Sequence, residues 1–292
     1  MGPDFICIGA PKAGTGWLFD QLSWHPQIWM PPAKELRYLG SYLPEKRPGL
    51  RRLQKRLIDG RANRINRKRA QQHLRPVDER DVDFISQYLD VKRRNLDNYA
   101  RLFAMKGAQL SGDITPLYSA LEPRQISALI NKFPKLKVIY LIREPVSRAW
   151  SHIQMHMRQS ERPNRKIQFD IENLDEVRKF ITSPRMDLRS RPTRVLDRWQ
   201  SALPQEQFFY AFFDDICQQP TAVLQNILRF LEVSPEITGD MLPPDFNRKD
   251  SKEKYVMTSE ISDYLNDFFR DEIDACIERF GDQVLSWSPD LS

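Results

Sequence analysis

The stretch FICIGAPKAGTGWL, residues 5–18, decides the fold of this 292-residue chain. It predicts an apolar strand, a Gly/Lys loop and the start of an amphipathic helix. The first N–H groups of a helix have no intrahelical partner, and the helix dipole is positive at that end. The loop around Gly14, Thr15 and Gly16 is therefore predicted to hold an anion such as phosphate, with Lys12 adding a mobile positive charge.

The loop differs from the common nucleotide-binding motif G-x-x-x-x-G-K-[ST] in the place of its lysine. Gly9 and Gly14 keep the glycine spacing, but Thr15 and Gly16 stand where lysine and serine or threonine belong. The lysine, Lys12, lies ahead of the second glycine instead. The spacing alone also fits a tight strand-to-helix turn, and the altered lysine argues against an ordinary Mg²⁺-dependent NTPase.

A second stretch, KVIYLIREPVSRAWSH at residues 137–152, also predicts strand, turn and helix. Apolar β-formers lead into Arg143, and Pro145 stands where the first helical residue belongs. Arg143 would then lie at the C-terminal end of a strand, where open α/β sheets bind ligands, with Ser151 on the following helix. A guanidinium and a hydroxyl suit a phosphate monoester, although Arg143 alone would also fit a surface residue at the end of a sheet.

Together the two stretches resemble sulfotransferases that use 3′-phosphoadenosine 5′-phosphosulfate (PAPS). Pro11-Lys12-x-Gly14-Thr15-x-Trp17-Leu18 resembles the family's 5′-phosphosulfate loop, and Arg143-x₇-Ser151 resembles its 3′-phosphate motif. The resemblance implies a P-loop-like three-layer α/β/α fold with a central parallel sheet, PAPS as donor, 3′,5′-bisphosphate (PAP) as product and no metal. The implied donor-binding residues are Lys12, Ala13, Gly14, Thr15, Gly16, Trp17, Arg143, Ser151, Arg248 and Lys249.

The segment KELRYL, residues 34–39, resembles the K-E-x-x-[YF]-[FL] segment of the bacterial and heparan-sulfate-like branch. In that branch the glutamate that matches Glu35 is the general base. Sulfuryl transfer needs positioning, stabilisation of the leaving oxygen and removal of the acceptor's proton. The resemblance thus implies in-line displacement, with Glu35 as base and Lys12 at the leaving oxygen. Without it, Lys34 and Glu35 would be interpreted as an exposed charged pair.

The segment SGDITPLY, residues 111–118, resembles the branch's G-E-K-[ST]-P-x-Y segment. Ile114 replaces the lysine and Asp113 replaces the glutamate, and the lost positive charge argues against a heparan-type acceptor. Asp113 is assigned to the catalytic set, where it would orient Lys12 or the acceptor. The alternative is a turn aspartate that bonds to nearby backbone.

Composition predicts one globular domain over residues 1–292, with a basic insertion or lid around 46–83. From Lys46 to Arg75 there are twelve Lys or Arg residues against one acid, Asp59. Such a run predicts a solvated helix face, a mobile loop, or a lid that attracts an anionic acceptor or donor. A nucleic-acid patch ranks last, because the run has no aromatic residue to stack on bases.

We expect a cytoplasmic enzyme without a membrane span. No run approaches eighteen apolar residues, and the chain enters its first strand directly, without the pattern of an export signal. Cys7, Cys217 and Cys276 are predicted to be reduced core thiols. The acceptor is expected to be a carbohydrate, a glycolipid or a small-molecule alcohol, and no nucleic acid is expected as a partner.

Two other functions stay open at this point: a phosphotransferase or kinase with an altered P-loop, and a noncatalytic polyanion-binding protein built around residues 46–75. His152 competes with Glu35 as base, because the family's cytosolic small-molecule branch uses a histidine. His152 and His156 are four residues apart, but Ile153 stands where the zinc motif H-E-x-x-H has glutamate, so no metal site is predicted.

Hydrophobic periodicity and turn residues predict the remaining elements. The predicted helices are 96–103, 122–132, 191–203, 220–231 and 259–280, and the predicted strands are 108–110 and 207–213.

Overall fold

The computed structural model describes residues 2–39, 48–60, 62–71, 75–90, 94–161, 169–237, 241 and 255–288. The strands are β1 Phe5–Gly9, β2 Gly112–Ile114, β3 Lys137–Ile142 and β4 Phe208–Phe212. The helices are α1 Thr15–Trp24, α2 Pro48–Ile58, α3 Ala62–Ala70, α4 Glu79–Asp90, α5 Leu96–Arg101, α6 Pro123–Lys132, α7 Pro145–Ser160, α8 Leu174–Ile181, α9 Pro184–Arg189, α10 Pro192–Gln200, α11 Phe213–Gln218, α12 Pro220–Phe230 and α13 Ser259–Phe280. Short 3₁₀ turns span Ala104–Lys106, Pro116–Ala120, Gln205–Gln207 and Gly281–Trp287.

The four strands form one parallel sheet in the order β2-β1-β3-β4. All five residues of β1 are buried, as expected for a central strand covered on both faces. Gly112 of β2 pairs with Phe5, and a Cβ at this glycine would lie 2.5 Å from the Phe5 carbonyl oxygen. The predicted central parallel sheet flanked by helices is confirmed.

Because the strands are parallel, their C-terminal ends meet at one edge of the sheet. Four segments therefore lie together there: the loop 10–14 after β1, Thr115 after β2, Arg143 after β3 and Phe213 after β4. The sheet thus brings the two predicted phosphate-binding segments to the same edge.

Most predicted elements are confirmed to within a few residues, but the strand predicted at 108–110 is wrong. The strand that joins the sheet is Gly112–Ile114, while Leu110 forms an isolated bridge with Ile28. Glycine and aspartate disfavour strands in isolation, so local preference pointed to the wrong residues. The close approach of Phe5 explains why a glycine belongs there. The helix predicted over 96–103 ends at Arg101.

The basic segment is the run from Lys46 to Arg75. Its described part is largely helical and forms α2 and α3. After α3, Arg75 Nη1 donates a hydrogen bond of 2.9 Å to Asp81 Oδ2, and Asp81 is fully buried. Arg75 Nη2 also donates to the carbonyl of Met30 at 2.7 Å. The ion pair with Asp81 holds the Arg75 side chain, and the hydrogen bond to Met30 links it to the chain that follows α1.

Cys7 and Cys276 are buried free thiols, as predicted. Cys217 is exposed, so the prediction of a core thiol is wrong there. It lies in the short helix α11, in which Ile216 is the buried side chain. None of the helices in the described ranges is long and apolar enough to cross a membrane.

Candidate active site

The loop between β1 and α1 leaves the start of α1 open to an anion. Gly14 takes a left-handed conformation with φ 88°, and no described side chain caps the helix. The first turn of α1 carries no acidic residue. A Cβ at Gly14 would lie 3.1 Å from Ile216 Cδ1, so glycine serves both the backbone conformation and the packing.

Lys34 reaches back to this loop from the segment after α1. Its Nζ donates a hydrogen bond of 3.0 Å to Thr15 Oγ1. The same atom lies 3.9 Å from where a Cβ on Gly16 would stand. Burial lowers the pKa of Lys34, and the charge of Glu35 opposes that effect. Sequence reasoning assigned Lys34 no place in the loop.

Arg143 contacts the loop directly from the end of β3. Its Nη1 donates a hydrogen bond of 2.9 Å to the carbonyl of Lys12, and its guanidinium carbon lies 4.5 Å from the centre of the Phe213 ring. Burial lowers the pKa of Arg143. The predicted partner Ser151 is partly buried on α7. The guanidinium thus joins the ends of β1, β3 and β4.

The start of α7, unlike that of α1, is already occupied by a carboxylate. Glu144 accepts hydrogen bonds from the N–H groups of Val146 at 2.6 Å and Ser147 at 2.5 Å. This cap satisfies donors that an external anion would otherwise use. Of the two helices that follow the predicted phosphate-binding strands, α1 is therefore the one whose start is available.

Glu35 lies beside Lys34, and its carboxylate is oriented by an arginine. Oε2 accepts hydrogen bonds from Arg37 Nη2 at 2.8 Å and Nε at 3.2 Å. Oε1 lies 3.8 Å from Lys34 Nζ. The backbone N–H of Glu35 donates to the carbonyl of Ile114, at the end of β2, at 3.0 Å. The carboxylate and the α1 loop therefore share Lys34 as a neighbour.

Asp113 lies in β2, and described donors engage both of its buried carboxylate oxygens. Oδ1 accepts from Thr115 Oγ1 at 2.7 Å and from the N–H of Leu36 at 3.3 Å. Oδ2 accepts from the hydroxyls of Tyr118 at 2.6 Å and Tyr99 at 3.1 Å. Burial raises the pKa of Asp113, and these hydrogen bonds oppose the rise. The contacts fasten the Glu35 segment to the sheet.

Tyr118 and Thr115 complete this attachment. The Tyr118 hydroxyl accepts hydrogen bonds from the N–H groups of Tyr38 at 2.9 Å and Leu39 at 3.3 Å, and Thr115 Oγ1 accepts from the N–H of Arg37 at 3.3 Å. Sequence reasoning did not assign roles to these residues. The signal was present in Thr115 and Tyr118, which match the threonine and tyrosine of the G-E-K-[ST]-P-x-Y segment.

Three residues of the two loops take left-handed backbone conformations that side chains disfavour. Their φ angles are 75° at Lys12, 58° at Glu35 and 51° at Arg37. Such conformations cost on the order of 1 kcal/mol or more and persist where surrounding contacts hold them. Their concentration around one site is typical of functional loops.

His152 is partly buried on α7, with Nδ1 3.4 Å from Arg148 Nη1. Burial, together with the charges of Arg148, Arg189 and Lys12, lowers the pKa of His152 to about 2. Such a weakly basic imidazole is poorly suited to take a proton from a hydroxyl.

Known protein families and solved structures show what this chain is similar to. A sequence model described as the sulfotransferase family matches residues 3–236, well over half of the chain. This chain belongs to the sulfotransferase family. Among curated proteins, no sequence matches this sulfotransferase.

Solved structures with the same fold are also sulfotransferases. A sulfotransferase from Alicyclobacillus acidocaldarius is 21% identical, with a TM-score of 0.61, over 98% of this chain and 99% of that one. The sulfotransferase domain from the curacin biosynthetic pathway is 19% identical, with a TM-score of 0.50, over 92% and 98% of the two chains. At these identities the likeness establishes the fold alone.

Apart from Arg248 and Lys249, the other predicted donor-binding residues of this sulfotransferase lie in or near the loop before α1. Ala13, Thr15 and Trp17 are buried. Arg248 and Lys249 lie outside the described residues, so their predicted role stays a prediction. Within the described ranges, no group of three or more His, Cys, Asp or Glu side chains could hold a metal ion.

His152 should make the stability of this sulfotransferase fall in mild acid. Its folded pKa is about 2 and its ordinary value 6.5, so below pH 6.5 the unfolded chain binds a proton that the folded chain does not. The free energy of unfolding should therefore drop by up to ~1.4 kcal/mol per pH unit from this group.

Urea unfolding at pH 6.0, 5.5 and 5.0 should give a shallower decline of the unfolding free energy for His152→Gln than for the native protein. His25, whose pKa burial also lowers, stays in both proteins as a constant background. Parallel declines would contradict the assignment.

Proposed function

We propose that this sulfotransferase transfers the sulfuryl group of PAPS to an acceptor hydroxyl or, less favourably, an amine. The observation that carries the proposal is the open N-terminus of α1, with no acid in its first turn and with Lys34 and Arg143 in contact with its loop. Uncapped N–H groups and nearby cations suit a phosphosulfate anion. The residues present therefore fit the donor that the motifs suggested.

The bound donor supplies an activated sulfur whose bond to the bridging phosphate oxygen breaks during transfer. Glu35 takes the proton of the acceptor hydroxyl as the acceptor oxygen forms the new S–O bond. Lys12 stabilises the electron pair left on the bridging oxygen, which becomes part of the 5′-phosphate of PAP. Arg143 and Ser151 hold the 3′-phosphate.

Arg37 and Asp113 support Glu35 without touching the reacting atoms. The Arg37 guanidinium holds Oε2, which leaves Oε1 as the carboxylate oxygen on the side of Lys34 and the α1 loop. Asp113 accepts from Leu36, next to Glu35, and from Tyr118, which holds the following two residues. We therefore assign Asp113 a positioning role, because its oxygens bond to the scaffold of the Glu35 segment.

The acceptor class, the lid and the compartment are further parts of the proposal. A carbohydrate, glycolipid or small alcohol remains the proposed acceptor, and the basic segment is its proposed lid. The free thiols favour a reducing compartment, so the cytoplasm is the proposed location. A screen of these acceptor pools with labelled donor, read as a mass shift of the sulfated product, tests the transfer itself.

Nucleotide selectivity gives a direct test of the donor site. If Arg143 holds the 3′-phosphate, native protein should bind PAP about 10- to 100-fold more tightly than 5′-AMP, because a charged hydrogen bond would be lost with the latter. Arg143→Ala should erase most of that preference in calorimetry. Arg178→Ala is the matched control, since Arg178 also stacks on a ring, at 5.0 Å from Tyr264, but lies on α8. Equal affinity of the native protein for the two nucleotides would refute the assignment.

A further inference from the structure

Lys34 brings a positive charge to a place that is already positive. Its ammonium donates to Thr15, the first residue of α1, and lies over Gly16 in the same turn. Partial positive charge on the unpaired N–H groups of a helix start disfavours a nearby cation. Partial burial of Lys34 adds to that cost, because it removes water from the ammonium.

Lys34 shares the carboxylate of Glu35 with Arg37. The first turn of α1 carries no acid, and the ion pair with Glu35 is long, at 3.8 Å. Glu35 gives its shorter contact, 2.8 Å, to Arg37. Arg143 contacts the same loop through the carbonyl of Lys12. Lys34 and Arg143 thus bring two cationic side chains to a loop whose helix start carries no acid, and a bound anion would complement them.

We propose that Lys34 is a further catalytic residue, whose ammonium donates to the phosphosulfate oxygens held at the start of α1. In sequence, Thr15 and Gly16 occupy the positions where the common nucleotide-binding loop has its lysine and hydroxyl residue. In space, Lys34 supplies an ammonium to that turn from 19 residues downstream. This inference rests on the proposed function, and it deepens it by assigning a second lysine to the reacting group.

Lys34 lies close both to the proposed donor-binding turn and to the proposed base, Glu35. Its Nζ lies 3.0 Å from Thr15 Oγ1 and 3.8 Å from Glu35 Oε1. The ammonium keeps its three protons throughout: the S–O bond of the donor breaks with its electron pair on the phosphate oxygen, and the acceptor's proton goes to Glu35. Lys34 stabilises charge on the donor and stays near the carboxylate that receives the proton.

Binding of two nucleotides tests this role without any turnover. Calorimetry should show that Lys34→Met weakens PAP binding about 10- to 100-fold, because a charged contact with the 5′-phosphate is lost. Adenosine 3′-monophosphate, which lacks the 5′-phosphate, should bind native and variant proteins alike within about twofold. Lys132→Met is the matched control, an exposed lysine paired with Asp97 on the protein surface, and should change neither affinity. Unchanged PAP affinity in Lys34→Met, or equal losses for both nucleotides, would overturn the proposal.

A second variant separates charge from structural support. Lys34→Gln can still donate a hydrogen bond to Thr15 but carries no charge, so a purely structural role predicts native PAP affinity. Our proposal predicts the same loss as in Lys34→Met, together with a smaller rise in Tm on adding PAP. The Tm of the ligand-free variants should not fall, since the removed cation faces a positive helix end. Recovery of native affinity in Lys34→Gln would refute the catalytic role.

The outcome for Lys34 is separate from that for the proposed function. Native selectivity for PAP over 5′-AMP, lost in Arg143→Ala but intact in both Lys34 variants, would remove the Lys34 inference and leave the donor site standing. Failure of the native protein to bind PAP would overturn both.

Discussion

Replacing Glu35 with glutamine is expected to lower turnover by ~10²–10⁴-fold while donor binding is retained. Glutamine keeps the size of the side chain and can still accept a hydrogen bond from Arg37, but it cannot take a proton. The Glu35 segment should remain in place, because Ile114, Asp113 and the Tyr118 hydroxyl hold it through its backbone N–H groups. Turnover and PAP affinity measured on the same preparation give the comparison.

His152→Gln is the parallel variant for this experiment. The pKa of His152 is about 2, so the imidazole is a weak base and its replacement should leave most of the turnover. Near-native turnover in Glu35→Gln together with a dead His152→Gln would show that the catalytic assignment is wrong. The assignment of the donor loop would survive that result, because it rests on different residues.

Replacing Lys12 with alanine is expected to lower kcat by ~10²–10³-fold, the cost typical of removing one group that stabilises developing charge. PAP affinity should fall less, since the lysine acts most strongly on the oxygen whose charge grows during transfer. The loop itself should persist, because Arg143 bonds to the backbone carbonyl of Lys12 and not to its side chain. Single-turnover kinetics measure the loss of rate, and calorimetry measures the smaller loss of PAP affinity.

Lys132→Ala serves as the control for Lys12→Ala, and its kcat should equal that of the native protein. Chelation with EDTA should leave the rate unchanged. A strict requirement for Mg²⁺ would contradict the proposal and favour the phosphotransferase alternative. Tight binding of polyanions without any donor-dependent product would instead favour the noncatalytic alternative built on residues 46–75.

The parts of the fold that local sequence encodes were predicted well. β1 with its glycine loop, and β3 with Arg143 and Pro145, combine short apolar runs with turn and helix-start residues. Such signals act over a few neighbouring residues, so they can be recognised without knowing the tertiary contacts. The misplaced strand shows the converse, because Gly112 belongs to β2 owing to the backbone of Phe5, which is distant in sequence.

The environment of Glu35 could be predicted far less completely. The motif indicated the residue, but its hydrogen bond to Ile114 and the network from Asp113 to Tyr118 join segments about 80 residues apart. The left-handed backbone at Glu35 and Arg37 has no signature in these residue types, which ordinarily avoid it. These features arise when the chain after α1 packs on the end of β2.

The sequence by itself determined the two strand–loop–helix units, which carry the predicted phosphate-binding residues, and the family to which the chain belongs. The tertiary structure decided which charges meet: Lys34 on Thr15, Arg143 on the carbonyl of Lys12, Arg37 on Glu35 and Glu144 on the start of α7. Spacing in sequence reports local conformation, whereas the strength of a charged contact depends on distance and burial. In this protein those quantities are fixed by the order of four parallel strands and by the loops that meet at their C-terminal ends.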